Sequence, residues 1–415
     1  MPSLRWKSLF AIVETMKAIF VKLFESYFDV SVPSAMRRLG WEVTEETFYT
    51  PKDFVHDSAL QQLVHDRLEG SEADFVFTVN FWPLLSPVFK DLGLRYVSWS
   101  YDAPLRLTGT DEMENDNNLI FLFDRGQVRD YRRQGITRVF HLPLGVDPPV
   151  FEKALRQKRK ATYGVSFIGQ FYASPYMPIL SAMDDYLKGL LQGICDAQRN
   201  LIGYYILPEL ITDEIADKVN ERLIYIKEHP DDFPIDCSET GAEFAGRISR
   251  QNLIYTIATR ITCIDRLTLV ASASRVTPTL VCTDDTDSLK KLIPHAEIHG
   301  RVDYYTQMPV IFRDSVISLC PSLRCISTGI PLRALDIMAS HGLVMLPATE
   351  EAYEYFENGA DSIIYSSYEE AFDLMKFYLR KQADTIPMKE RAYRKAKSEF
   401  SMEHRLKQIE EKLDD

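Results

Sequence analysis

Short apolar runs alternate with helix-length stretches along almost the whole chain, and this alternation narrows the fold more than any other feature. The first series is "AIFVKL" (18–23), "EVTEETF" (42–48), "FVFTVN" (75–80), "RYVSWSY" (95–101), "NLIFLFD" (118–124) and "RVFHLPLG" (138–145). Several are apolar on both faces, as strands of a parallel sheet covered by helices must be. A second series runs "GVSFIGQ" (164–170), "TPTLVCT" (277–283), "AEIHGRV" (296–302), "SVISLCP" (315–321), "GLVMLPA" (342–348) and "DSIIYSS" (361–367). The pattern predicts an α/β fold of two Rossmann-like, doubly wound domains facing a cleft. A length of 415 residues suits two domains better than one core.

The expected organisation follows the runs. Met16 directly precedes "KAIFVKL", so residues 1–15 read as an N-terminal extension and 16–150 as the first domain. The boundary falls at "LGVDPPVFEKALRQKRKATYG", where a proline pair meets a solvated basic run. Residues 151–400 form the second domain. Its stretch 175–262 has helical periodicity and reads as a helical insertion, and 401–415 reads as a closing helix.

Charge and composition exclude several classes. With a net charge of -12 any anionic ligand must meet local cations, and the sequence shows no basic stripe for nucleic acid. The apolar run at the N-terminus is broken by Glu14, Lys17 and Lys22, which predicts no transmembrane segment and leaves an amphipathic surface anchor as the alternative. Six dispersed cysteines, with no CxxC pair, read as reduced residues of a cytoplasmic protein. Asp285 and Asp287 have the spacing of a metal-holding pair, but a polar turn accounts for them, and no metal site is expected.

In tandem α/β domains ligands sit at the carboxyl ends of the strands, so candidate residues are sought there. "GIPLRALDIMASHG" opens a helix near Pro331 and stops it at Gly342. Arg333 stands in its first turn, where the helix dipole already favours an anion, and Asp336 follows three residues on. Two readings remain open: a surface ion pair, or a diphosphate seat with Asp336 receiving ribose hydroxyls. Gly169 ends a strand and is either a phosphate approach or a tight turn. Tyr304 and Tyr305 read as a base platform or as core, and Arg301 as a further phosphate contact. In the first domain, Asp102 follows a strand in "YVSWSYDAP". It is a candidate base for an acceptor hydroxyl, or the start of a turn before proline. Trp99 and Tyr101 are a sugar platform or core, and Asn80 is a further strand-end candidate.

The stretch from "HGRVDYY" through "CPSLRCISTGIPLRALDIMASHGLVMLPATEEAYEYF" to "DSIIYSS", with "NFWPLLSPVFKDLGLRYVSWSYDAP", "IFLFDRGQVRDYRRQGITRVFHLPLGVD" and "VSFIGQFY" upstream, resembles the spore maturation protein CgeB-like glycosyltransferases. The resemblance implies a GT-B architecture with the donor held by the C-terminal domain and the acceptor by the N-terminal one. It also implies a last helix crossing back to the first domain; domain closure about residues 146–160 is expected because it would exclude water and so suppress donor hydrolysis. Arg333 matches the family's arginine after Gly-x-Pro. Asp336 stands where relatives more often carry Glu, and Cys320 where they have Asn. The expected activity is a hexosyltransferase-like, metal-independent transfer of sugar from a nucleotide diphosphate sugar to a hydroxyl of a glycan or protein acceptor. The co-substrate is most simply a UDP-sugar, and no other cofactor is expected. The competing expectations are a non-catalytic nucleotide-sugar-binding or morphogenetic protein that keeps the fold, and a sugar-nucleotide epimerase.

Overall fold

The computed structural model describes residues 15–105, 109–158, 163–229, 248–284 and 286–414. The proposed extension at 1–15 therefore lies outside the described residues except for its last one, as does Asp285 of the acidic pair.

Each apolar run becomes a strand, although several stop short of the run that predicts them. The first sheet holds β1 (Lys17–Lys22), β2 (Glu42–Thr47), β3 (Phe75–Val79), β4 (Arg95–Ser100), β5 (Asn118–Leu122) and β6 (Val139–His141). The second holds β7 (Tyr163–Ile168), β8 (Thr279–Cys282), β9 (Glu297–His299), β10 (Ser315–Leu319), β11 (Val344–Pro347) and β12 (Ile363–Tyr365). All pairings are parallel. Central strands such as β3 and β5 are buried along their whole length, whereas the edge strand β2, "EVTEET", has no fully buried residue. Cross-strand pairs fill the interior, with Phe20 opposite Phe77 and their rings stacked at 5.6 Å.

The order of the first sheet is β2-β1-β3-β4-β5-β6 and that of the second β12-β11-β10-β7-β8-β9. The winding reverses between β1 and β3 in one sheet and between β7 and β10 in the other. Connections leaving a parallel sheet to opposite faces diverge at such a point and open a crevice beyond the carboxyl ends of the strands.

Between β7 and β8 the chain forms a helical unit with its own apolar core, in which Leu187, Leu191, Val219 and Ile257 are buried. The last of these helices, Arg250–Ser274, begins at an N-cap where Ser249 accepts from the Asn252 N–H at 3.1 Å. It runs past residue 262 because its C-terminal half buries Leu269, Val270 and Ala273 against the second sheet.

One apolar cluster runs through both domains, joining Phe123, Leu144 and Phe151 to Phe312, Ile330 and Phe400. The closing helix, Met402–Asp414, packs on the Phe28–Arg38 helix of the first domain. Arg38 reaches both Glu403, at 2.5 Å, and Asp147 in the connection between the sheets, at 2.8 Å.

Candidate functional site

A cleft of about 1090 Å³ lies between the carboxyl edges of the two sheets, at both reversal points. Its first-domain wall comes from the turns after β1, β2, β3 and β4, and its second-domain wall from the turns after β7, β8, β9 and β10, with the start of the Leu332–Ala339 helix.

Of the residues expected from sequence, Asp102, Gly169, Arg301, Tyr304 and Arg333 line this cleft. Asp102 is exposed, and its Oδ2 accepts from the Asn80 amide at 2.7 Å. Asn80 itself holds a φ of 60°, and its Oδ1 accepts from the Tyr101 N–H at 3.3 Å, so one side chain spans the ends of β3 and β4. Arg301 is solvent-facing and forms a two-pronged pair with Asp284, whose other contact is the Gln170 amide at 3.3 Å.

Asp336 does not line the cleft. It is 1 % exposed, beneath the wall, and its oxygens are taken by the Tyr304 hydroxyl at 2.6 Å and Arg333 Nη1 at 3.1 Å. The ion pair anticipated as one reading is thus present, but buried, and it leaves Asp336 as support for Arg333 rather than a cleft-facing group. Tyr305 is likewise not a wall residue; it packs edge-on against Tyr304 at 5.0 Å. Tyr304 stacks on Tyr27 of the first domain at 4.5 Å, which occupies one face of its ring. Trp99 is fully buried, with its indole N–H on Leu142 O at 3.3 Å, so it belongs to the core and not to a sugar platform.

The helix bearing Arg333 also ends differently from expectation. Pro331 is its N-cap, and the left-handed residue after the last turn is His341, φ 56°, not Gly342. Gly342 is needed for closeness: a Cβ there would lie 2.8 Å from Ile337 Cγ2 and 2.9 Å from Ile337 O.

Burial pushes the Asp336 carboxyl up to about 6, against the opposing pull of Arg333 and the Tyr304 hydrogen bond. The folded chain therefore holds this proton more tightly than the unfolded one. The resulting stabilisation is complete below the ordinary value of 3.8 and is lost as pH rises through about 6. In urea unfolding, the stability of Asp336→Asn relative to the parent should improve by about 1 kcal/mol between pH 5 and pH 7.5. A pH-independent difference would contradict the titration.

Two wall residues carried no legible signal in the sequence. Arg266, on the Arg250–Ser274 helix, is only 9 % exposed. Its guanidinium donates to Pro321 O at 3.0 and 3.3 Å and to Gln170 O, and lies 4.8 Å from the Tyr172 ring and 5.6 Å from Phe167. Among the described residues no carboxylate pairs with it. Tyr172 sits at φ 54°, a backbone state unusual for a bulky residue, with its ring over that cation.

Beside the cleft the domains are joined by buried polar groups. Asp124 of the first domain is fully buried and accepts from Ser327 N at 2.7 Å, Thr328 N at 3.1 Å and both hydroxyls. Glu351, equally buried, accepts from Arg125 N and His141 Nε2 at 2.9 Å, and lies 2.8 Å from Thr328 Oγ1, whose one proton it shares with Asp124. Further out, Arg125 pairs with Glu354 and Arg129 with Glu350. Among the described residues no three His, Cys, Asp or Glu side chains gather as a metal site, and no helix is long and apolar enough to cross a membrane.

Residues 266–411 match a family model described as glycosyl transferase-like. No curated protein sequence matches the chain. Its fold is shared by a glycosyltransferase from Rickettsia africae, with a TM-score of 0.56, 10% identity, and coverage of 96% of this chain and 98% of that one. It is also shared by sucrose-phosphate synthase from Thermosynechococcus elongatus, with a TM-score of 0.55, 10% identity, and coverage of 96% and 99%. Anabaena HepE, solved with UDP and glucose, has the same TM-score, identity and coverage values as the synthase. The likeness at this identity is one of fold: two parallel-sheet Rossmann-like domains in the GT-B arrangement.

Proposed function

We propose that the chain is a glycosyltransferase that moves a sugar from a nucleotide diphosphate sugar, a UDP-sugar first of all, to a hydroxyl acceptor. The observation that carries this reading is Arg266, a buried guanidinium in the wall of the cleft with carbonyls but no described carboxylate as partners. Removing a cation from water is costly unless an anion compensates it, and a diphosphate in the cleft would do so. Arg333 stands on the same wall, and the UDP bound by HepE gives the ligand class. The CgeB-like group is the particular relationship proposed, on the Gly329-x-Pro331-x-Arg333 sequence, and a cytoplasmic setting goes with it. With a domain boundary proposed between residues 150 and 151, the donor would go to the second domain and the acceptor to the first.

In the proposed reaction an acceptor oxygen bonds to the sugar's anomeric carbon as the bond from that carbon to the diphosphate oxygen breaks. The electron pair leaves with the diphosphate, where Arg266 and Arg333 stabilise it electrostatically. Asp102, oriented by Asn80, takes the acceptor proton. Asp336, behind the wall, holds Arg333, and is itself held by the Tyr304 hydroxyl.

A panel of nucleotide sugars assayed for binding and for nucleotide release, with and without hydroxyl acceptors, tests this reading. Binding of a UDP-sugar with acceptor-dependent UDP release supports it. Binding without any turnover gives the non-catalytic reading, and a changed sugar without acceptor gives an epimerase. Asp102→Asn should lower turnover by about 100-fold or more while leaving UDP-sugar affinity unchanged. Full turnover in that variant would remove Asp102 from the chemistry.

A further inference from the structure

The two walls of the cleft differ in chemistry. The cations, Arg266, Arg301 and Arg333, all come from the second domain. The first-domain wall carries the rings of Phe24, Tyr27, Phe54, Phe81, Trp82 and Tyr101 and one carboxylate, Asp102, with no cation among its described residues. Two of these rings are open to solvent, Phe54 at 52 % and Tyr27 at 44 % exposure. They belong to an array: Phe54 lies 5.3 Å from Trp82, Phe24 5.9 Å from Trp82 and 6.5 Å from Tyr101, and Tyr27 6.5 Å from Tyr101. The hydrogen-bonded Asn80–Asp102 pair borders the same wall.

We infer that this wall is a saccharide subsite: the acceptor is an uncharged sugar chain whose C–H face stacks on the Phe54 and Phe24 rings, backed by the buried Trp82, and whose hydroxyl reaches Asp102. The inference rests on the donor reading above, which places the anionic substrate on the opposite wall. A pyranose has an apolar face and a polar rim, and aromatic rings beside a carboxylate and an amide match both at once. A peptide added as a strand would draw on an exposed strand edge, but this wall consists of the turns following β1 to β4. An alkyl chain has no use for the amide–carboxylate pair, which it would strip of water without replacing the lost hydrogen bonds. Phosphorylated acceptors meet a carboxylate and no described cation.

Saturation-transfer NMR on the UDP-loaded protein, with maltotriose, cellotriose and chitotriose as probes, tests the subsite. The expected result is transfer to ring C–H protons of at least one trisaccharide. Phe54→Ala should weaken that trisaccharide about fivefold, Phe54→Tyr should restore it, and UDP affinity should be the same in all three proteins. Phe54 is half exposed, so its replacement leaves the core intact. Bound UDP with no transfer to any trisaccharide overturns the inference. So does transfer indifferent to Phe54→Ala, or a serine peptide or alkyl glycerol occupying the wall in place of the sugars. If instead the trisaccharides bind and UDP does not, the donor reading fails and the saccharide wall stands.

Discussion

Arg266→Met should weaken UDP-glucose binding by roughly 10- to 100-fold, more than the loss of any other cation in the cleft, as measured by calorimetry on the folded variant. Arg333 already shares its charge with the buried Asp336, so part of its field is spent before a ligand arrives. Arg301 is exposed and paired with Asp284, where solvent screens both partners. Arg266 is held by the carbonyls of Gln170 and Pro321, at the ends of β7 and β10, and faces the cleft with its charge uncancelled by any described carboxylate. Methionine keeps much of the volume under Tyr172 and removes the charge. It also leaves two carbonyls without that donor, so a lower melting temperature is expected alongside the affinity loss. Arg266→Lys should recover part of the affinity, since it restores charge without the planar fork. UDP-glucose affinity unchanged in a folded Arg266→Met protein would show that the diphosphate does not lie against this wall.

The contrast between Arg266 and Arg333 shows what the sequence could and could not convey. Strands apolar on both faces stand out because burial on both sides leaves no polar alternation, and the cleft follows from their order. Arg333 stands out because a cation opposes the dipole at the start of its helix. Arg266 has no such context, being one of four charged residues within a 25-residue helix whose apolar positions dominate. Its meaning comes from Gln170 and Pro321, 96 and 55 residues away, closing around it. Asp336 went the other way. The three-residue spacing points to a group beside Arg333 at the ligand, but the Tyr304 hydroxyl, 32 residues earlier in the chain, covers it and makes it a buried support. Spacing along a helix fixes which side chains are neighbours, whereas accessibility is decided by what the rest of the chain lays over them.

Asp124 carries the second large expectation. The run "NLIFLFD" marks it as a strand-end residue, yet its partners lie some 200 residues on, in the loop that supplies Pro321, Ser322, Leu323 and Ile326 to the cleft. A carboxylate excluded from water is tolerable here because Ser327 and Thr328 give it two backbone and two hydroxyl donors, and Gly126 a third backbone N–H at 3.0 Å. The approach is close enough that a Cβ on Gly126 would lie 1.8 Å from Ser327 Oγ. Asp124→Ala removes the acceptor and leaves those donors buried without it. The expected cost is on the order of 3 kcal/mol in urea unfolding, with both turnover and UDP-glucose affinity lowered, since the loop it holds leads directly into Arg333. Thr328→Val, which deletes one hydroxyl shared between Asp124 and Glu351, should show the same signs at about a third of the size. The two variants together separate a latch from a local packing defect. A latch ties domain stability to cleft function, so both readouts must fall in proportion. If Asp124→Ala unfolds like the parent within about 0.5 kcal/mol, the buried carboxylate is not what holds the two sheets in register across the cleft.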